Sequence, residues 1–395
     1  MISQEEYAGK RARAVAAIRS MNAANSLALE KSTSNLFRQR VQERVHRLDL
    51  HDFNHVIQVD EHGQFAEVEG LTTYEELVRE TLPFQLMPTV VPQLKSITIG
   101  GAIAGIGIES SSFKCGFVHE TVLELEILLP DGRVVVATPS NEYSDLFFGF
   151  PNSYGTLGYV LKLKVKLLPV KPFVKLTHHR YSDWNEYFHA IEQVCRERSV
   201  DFVDGTMFTD KELYITTGEF IDRAERLSDY TYLQIYYQSI RQRKTDYLTA
   251  HDYLWRWDTD WFWCSKHFFL QYPVVRWLWG KERLHSAVYW KLLKWSRRSP
   301  VAQWISKAIE DRQEAVIQDV EIPIEHAPEF AQFLHEEIGI KPVWICPVTA
   351  YDPSVSYSLY SMKPNKLYVN FGFWDAVKTN FEEGYFNKAI EAKVR

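Results

Sequence analysis

"ITIGGAIAGIGIESSSFKCG", residues 97–116, decides how the rest of the chain is read. Five glycines fall in twenty positions, and three serines stand in a row. Glycine at that density lets backbone lie against a ligand, often a phosphate, because no Cβ intervenes. A buried, tightly packed turn uses the same residues. A Rossmann fingerprint needs G-x-G-x-x-G between a strand and a helix, with an acidic residue about twenty positions on. Here the glycines stand at 100, 101, 105 and 107, and the following "IESSSFKCG" is a poor helix former. The spacing rejects that fingerprint.

Outward from this stretch the patterns are short. Residues 1–20 predict an amphipathic helix, and "SLALE" (26–30) a strand. "KSTSNLFRQR" (31–40) is a polar turn whose hydroxyls and N–H groups suit an anion nest. Two alternating runs around His62-Gly63 predict a hairpin, and "TTYEELVRETL" (72–82) starts a helix with a threonine cap. Asp131-Gly132 turns a second hairpin, "SDLFFGF" is a short helix, and "GYVLKLKVKLLPV" (158–170) alternates as a strand does. Hairpins mixed with helices make the fold class α+β. The texture changes near Pro169–Pro172, which sets the expected domains at 1–170 and 171–395.

Composition narrows the function. A chain of 395 residues, 46% hydrophobic, with a net charge of −6, buries a real core and is not a nucleic-acid binder as a whole. Four scattered cysteines without a CxxC pair argue against a disulfide framework or a zinc site, and no metal is expected. The N-terminus has no apolar signal core, and the longest apolar run is broken by Lys266, His267, Gln271 and Arg276. A cytoplasmic protein is expected. Residues 241–300 hold eight of the twelve tryptophans, with twelve Lys/Arg against five Asp/Glu. That segment reads as aromatic core with basic residues on its wet side or as a peripheral contact with the inner face of a membrane, and a nucleic-acid reading has the charge but no binding motif beside it.

The ordered series around the glycines carries a resemblance. "VVPQLKSITIGGAIAGIGIESSSFKCG", "PSNEYSDLFFGFPNSYGTLGY", "VIQDVEIPIE", "KPVWICPV" and "KLYVNFGF" together resemble the delta-24 sterol reductase (diminuto/seladin) family and its bacterial relatives. That family lies within the vanillyl-alcohol oxidase (PCMH-type) FAD-binding superfamily. The resemblance implies a two-lobed FAD-binding domain followed by a substrate domain with an antiparallel sheet and helices. It implies non-covalent FAD, with Ser32, Thr33, Ser34, Asn35 and Leu36 at the phosphate turn. Thr98, Gly100, Gly101, Gly105, Gly107, Ile108, Glu109, Ser110 and Ser111 would line the flavin and its ribityl chain. Gly155, Thr156, Gly158, Tyr159 and Val160 would flank its rings.

On the second-domain strands, Gln318, Asp319, Glu321, Cys346 and Asn370 are the polar residues able to face substrate, and Lys114 sits beside the ESSS loop. The resemblance further implies NAD(P)H-driven reduction of a carbon–carbon double bond in a lipid, sterol-like or a methylene-branched or unsaturated fatty acyl chain. Oxidation of an alcohol or sugar, and non-catalytic binding of flavin or lipid, remain the alternatives. No N-terminal membrane helix of the kind in animal sterol reductases is expected, which favours a bacterial type. It stops at "NKAIEAKVR", so the return segment of that family is expected to be short or missing.

Overall fold

Period-two patterning produces the spine of the first unit. In β8, Tyr159–Pro169, the side chains of Leu161, Leu163, Val165 and Leu167 are buried, while Lys162, Lys164 and Lys166 take the other face. The computed structural model that shows this describes residues 1–21, 26–30, 45–298, 313–378 and 388–394. Before β8 the chain forms β1 (Ser26–Glu30), β2 (Val45–Asp49), β3 (Val56–Asp60), β4 (Phe65–Glu69), β5 (Leu86–Pro88), β6 (Val122–Leu128) and β7 (Val134–Ala137). β1 and β2 pair in parallel. The others form an antiparallel sheet in the order β3-β4-β8-β6-β7, with β5 also on β8. Both predicted hairpins are present, as β3–β4 and β6–β7.

Helix Gln4–Ser20 is tied to this unit by ion pairs, the most buried of them from Lys10. Lys10 Nζ lies 3.0 Å from Glu69 Oε2, both side chains buried, and also donates to the Asp52 carbonyl. Helix Tyr74–Thr81 starts where the sequence put it, with the Thr73 hydroxyl accepting from the Glu76 N–H at 3.2 Å.

The second unit is a seven-stranded antiparallel sheet. Its strands are β9 (Phe173–Tyr181), β10 (Phe202–Thr209), β11 (Glu212–Ile221), β12 (Thr245–Thr249), β13 (Gln313–Pro323), β14 (Val343–Val348) and β15 (Tyr368–Lys378). They run in the order β12-β9-β11-β10-β14-β15-β13. Phe371 points to the face covered by helices Trp184–Glu197 and Ala327–Phe333, meeting Phe188 and Phe330. Trp344 and Trp374 take the other face, where Phe262 packs between them.

The division between the units falls at Lys171–Pro172. Residues Thr349–Lys366, expected with the second domain, belong instead to the first unit. Two short helices lie in the glycine-rich region. Ile99–Ala104 forms a helix despite Gly100 and Gly101, and Ser112–Cys115 adds one helical turn to a stretch read as a poor helix. Within 241–300 the tryptophans divide: Trp255, Trp257, Trp263 and Trp290 are buried, whereas Trp277 and Trp295 are exposed.

Candidate functional site

The glycine-rich segment is held by backbone. Gly100 N–H donates to the Gly70 carbonyl at 2.9 Å, and Ile99 N–H to Thr72. A Cβ on Gly100 would stand 2.6 Å from that Gly70 oxygen, so close approach demands glycine there. Gly107 and Gly158 are likewise closed in, by Val118 and by the Leu128 carbonyl. Gly105 differs. It is looser, though a Cβ there would stand 3.1 Å from the Gly101 carbonyl oxygen and 3.8 Å from Tyr154. Tyr154 N–H donates to the Ala104 carbonyl, which brings the 153–160 turn beside the glycine helix.

The ESSS loop is knitted inward. Ser112 Oγ accepts from the Glu109 N–H at 3.1 Å, and Ser111 Oγ donates to the Thr89 carbonyl at 2.9 Å. Glu109, Ser110, Ser111 and Ser112 are all buried. The chain leaves the loop through Gly116, whose φ of +71° suits only glycine without strain. In the facing turn, the Thr156 hydroxyl and N–H both donate to the Ser153 carbonyl. Ser153 Oγ is buried with no hydrogen-bond partner among the described residues. Tyr159 donates to Leu27, Val160 is buried in β8, and Thr98 and Ile108 are half-buried. Ser32 to Leu36 lie outside the described residues.

Residues 349–366 strap this region, a feature that no periodicity announced. Thr349 N–H and Oγ1 donate to the carbonyls of Ser112 and Phe113. Tyr351 N–H donates to Glu120, and Ser358 N–H to Phe148. Tyr357 and Tyr360 close over His119, with Tyr357 at 4.4 Å between ring centroids. His119 is buried, its Nδ1 has no hydrogen-bond partner among the described residues, and loss of hydration pushes its imidazole down to about 3.

Small residues in the glycine helix, beside a buried hydroxyl with no partner among the described residues, suit a flat polar cofactor. Residues 7–138 match the family model described as FAD binding domain. Beyond this match, the chain resembles sterol reductases. It is 28% identical over 339 residues to the Delta(24)-sterol reductase of Pisum sativum, covering 79% of this chain and 58% of that protein. The human Delta(24)-sterol reductase is 27% identical over 325 residues, covering 77% and 60%. Cytokinin dehydrogenase 1 of Arabidopsis thaliana is 28% identical over 148 residues, covering 37% of this chain and 26% of that protein. The chain spans about three-fifths of the length of the sterol reductases it matches.

In the second unit, register sorts the remaining candidates by face. Asp319 stands opposite Gly372, and Glu321 and Cys346 both stand opposite Asn370. These residues share the Trp344 face. Gln318, paired with Phe373, points to the helix-covered face and is separated from them. Asn370 Nδ2 donates to Asp319 Oδ1 at 3.2 Å, and a Cβ at Gly372 would stand 3.0 Å from that same oxygen. Asp319 is exposed to solvent, and protein atoms on its inner side take away part of its hydration. That loss, with the charge of Glu321 second, pushes its carboxyl up to about 7. Lys114 is half-buried with Nζ 5.8 Å from the Phe113 ring. Cys115 is half-buried.

Proposed function

We propose that the chain is an FAD-dependent reductase of a carbon–carbon double bond in a lipid, sterol-like or an unsaturated or methylene-branched acyl chain, with NAD(P)H as electron donor. One observation carries the reading. The likeness to Delta(24)-sterol reductases runs over 339 residues, too long to be confined to the first unit. The likeness to cytokinin dehydrogenase stops at 148 residues, a length the first unit alone accommodates. The non-cofactor part of the chain therefore sides with the reductases.

Bound FAD supplies hydride transfer between donor and substrate. The balance is NAD(P)H plus a proton plus the alkene, giving NAD(P)⁺ and the saturated carbon pair. In this reading Thr98, Gly105, the ESSS loop and the 153–160 turn hold the cofactor, Ser153 Oγ offering it a hydrogen bond. The chain must also deliver a proton to the second alkene carbon. Asp319 suits that task because its carboxyl is partly protonated at neutral pH. Asn370 orients it by hydrogen bonding one oxygen.

Anaerobic titration tests the reading. NADH or NADPH should bleach the flavin of the purified chain, and a lipid alkene should restore the colour. If alcohols or sugars bleach it and no alkene restores it, the reductase reading falls to the oxidase one. A colourless protein that takes up no added FAD removes both.

A further inference from the structure

Helix Pro273–Trp279, "PVVRWLW", carries its only charge on the inside. Arg276 has no exposed surface. Its guanidinium donates to the carbonyls of Tyr232, Leu270 and Thr259 and lies 3.6 Å from Asp260 Oδ1. Ser265 and Gln271 donate to Asp260 in turn. Val275 and Trp279 pack inward on Leu270, Leu284 and Tyr289. The outward face is apolar as well. Val274, Trp277 and Leu278, with Phe269 and Tyr272 just before them, are each between 61 and 69% exposed.

A water-exposed helix normally shows the reverse arrangement. Scattered exposed apolar residues are ordinary, but five large ones within ten positions mark a contact surface. The segment is also firmly seated. Besides the Arg276 bonds, the Tyr232 hydroxyl donates to the Trp277 carbonyl at 3.0 Å. The exposed posture is thus held in place by buried polar bonds.

Charge selects the occupant. Exposed Lys281 and Arg283 follow the helix at once, and exposed Lys291 lies on the next helix, Ser286–Arg298, against the single acid Glu282. This local excess of bases sits in a chain of net charge −6. Indole and phenol rings beside lysine and arginine suit the lipid–water boundary, where rings lie at headgroup depth and bases meet anionic lipid.

We propose that residues 269–283 dock the chain on an anionic bilayer. Val274, Trp277 and Leu278 enter the acyl boundary, and Lys281 and Arg283 contact the headgroups.

Co-sedimentation of the full chain with phosphatidylcholine vesicles, with and without phosphatidylglycerol, tests this at low and high salt. The wild type should bind the anionic vesicles, less tightly as salt rises, and its tryptophan emission should shift to the blue. Trp277→Ser with Leu278→Ser should weaken binding about tenfold or more, since two large side chains no longer leave water. Lys281→Glu with Arg283→Glu should erase the preference for anionic vesicles. All four positions are exposed, so both variants should melt with the wild type. Three results overturn the proposal: no binding at low salt, serine and wild-type proteins binding equally, or charge reversal leaving the anionic preference intact. Self-association that the serine variant abolishes, without vesicle binding, would assign the face to a second copy of the chain.

Discussion

Asp319 and His119 are titratable groups pushed in opposite directions by the same cause, and each makes a separate prediction. Asp319 moves from an ordinary value of 3.8 up to about 7, so the folded chain holds its proton where the unfolded chain has lost it. Alkene reduction should therefore fall as pH rises through about 7. Asp319→Asn should slow the return of flavin colour with alkene by about 10²-fold or more, leave bleaching by nicotinamide unchanged, and remove that pH limb. Wild-type reoxidation in the variant would dismiss Asp319 as proton donor. His119 is lowered to about 3, so on acidification the unfolded imidazole takes up a proton from about 6.5, long before the folded one does. Stability of the first unit should decline as pH falls from about 6.5 toward 3, and His119→Phe should flatten that slope in denaturant midpoints taken across pH. The sequence offered Asp319 and Gln318 as equals, because face depends on which residue of β15 lies opposite. It gave no sign of His119, whose environment comes from tyrosines more than two hundred positions away.

Helices and hairpins were the legible elements, since their signals are local: the Thr73 cap, the Asp131-Gly132 turn and the lysine alternation of β8 all read directly. What each element is fastened with was not legible. Lys10 looks like any solvent lysine in "EEYAGKRARA", yet it is buried against Glu69. Removing one member of a buried pair strands the other's charge, so Lys10→Met should cost about 3–5 kcal/mol. Urea melts of the variant measure it, and a loss under 1 kcal/mol would mean that the pair is solvated in solution. The helix in the glycine stretch was not legible for a related reason. Propensity counts against Gly100 and Gly101, but their small size lets the helix start against the Gly70 carbonyl, and tertiary contact outweighs propensity.

For the whole molecule, the order of segments in the chain conveyed the α+β class and the FAD domain, whereas the path of the chain between units stayed hidden. "TAYDPSVSYSLYSMKPNK" (349–366) has no period of 2 or 3.6, and its bonds run mainly to backbone carbonyls that carry no sequence signature. Its ends are close together, because Val348 and Tyr368 are partners across β14 and β15. Replacing Thr349–Leu367 by a short glycine-rich turn should thus leave the second sheet intact. The first unit should lose about 1 kcal/mol for each of the five backbone-anchored hydrogen bonds that the strap supplies, and FAD affinity should drop with it. The two effects separate optically, since all twelve tryptophans lie outside the first unit and flavin colour reports the first. Intact tryptophan emission with undiminished FAD binding would show the strap to be dispensable. The same path bears on descent and on shuffling. A chimaera spliced at residue 171 takes its cofactor domain from one parent and the clasp over that domain from the other, so recombinants between diverged relatives should fail to retain flavin unless residues 349–366 travel with the N-terminal half.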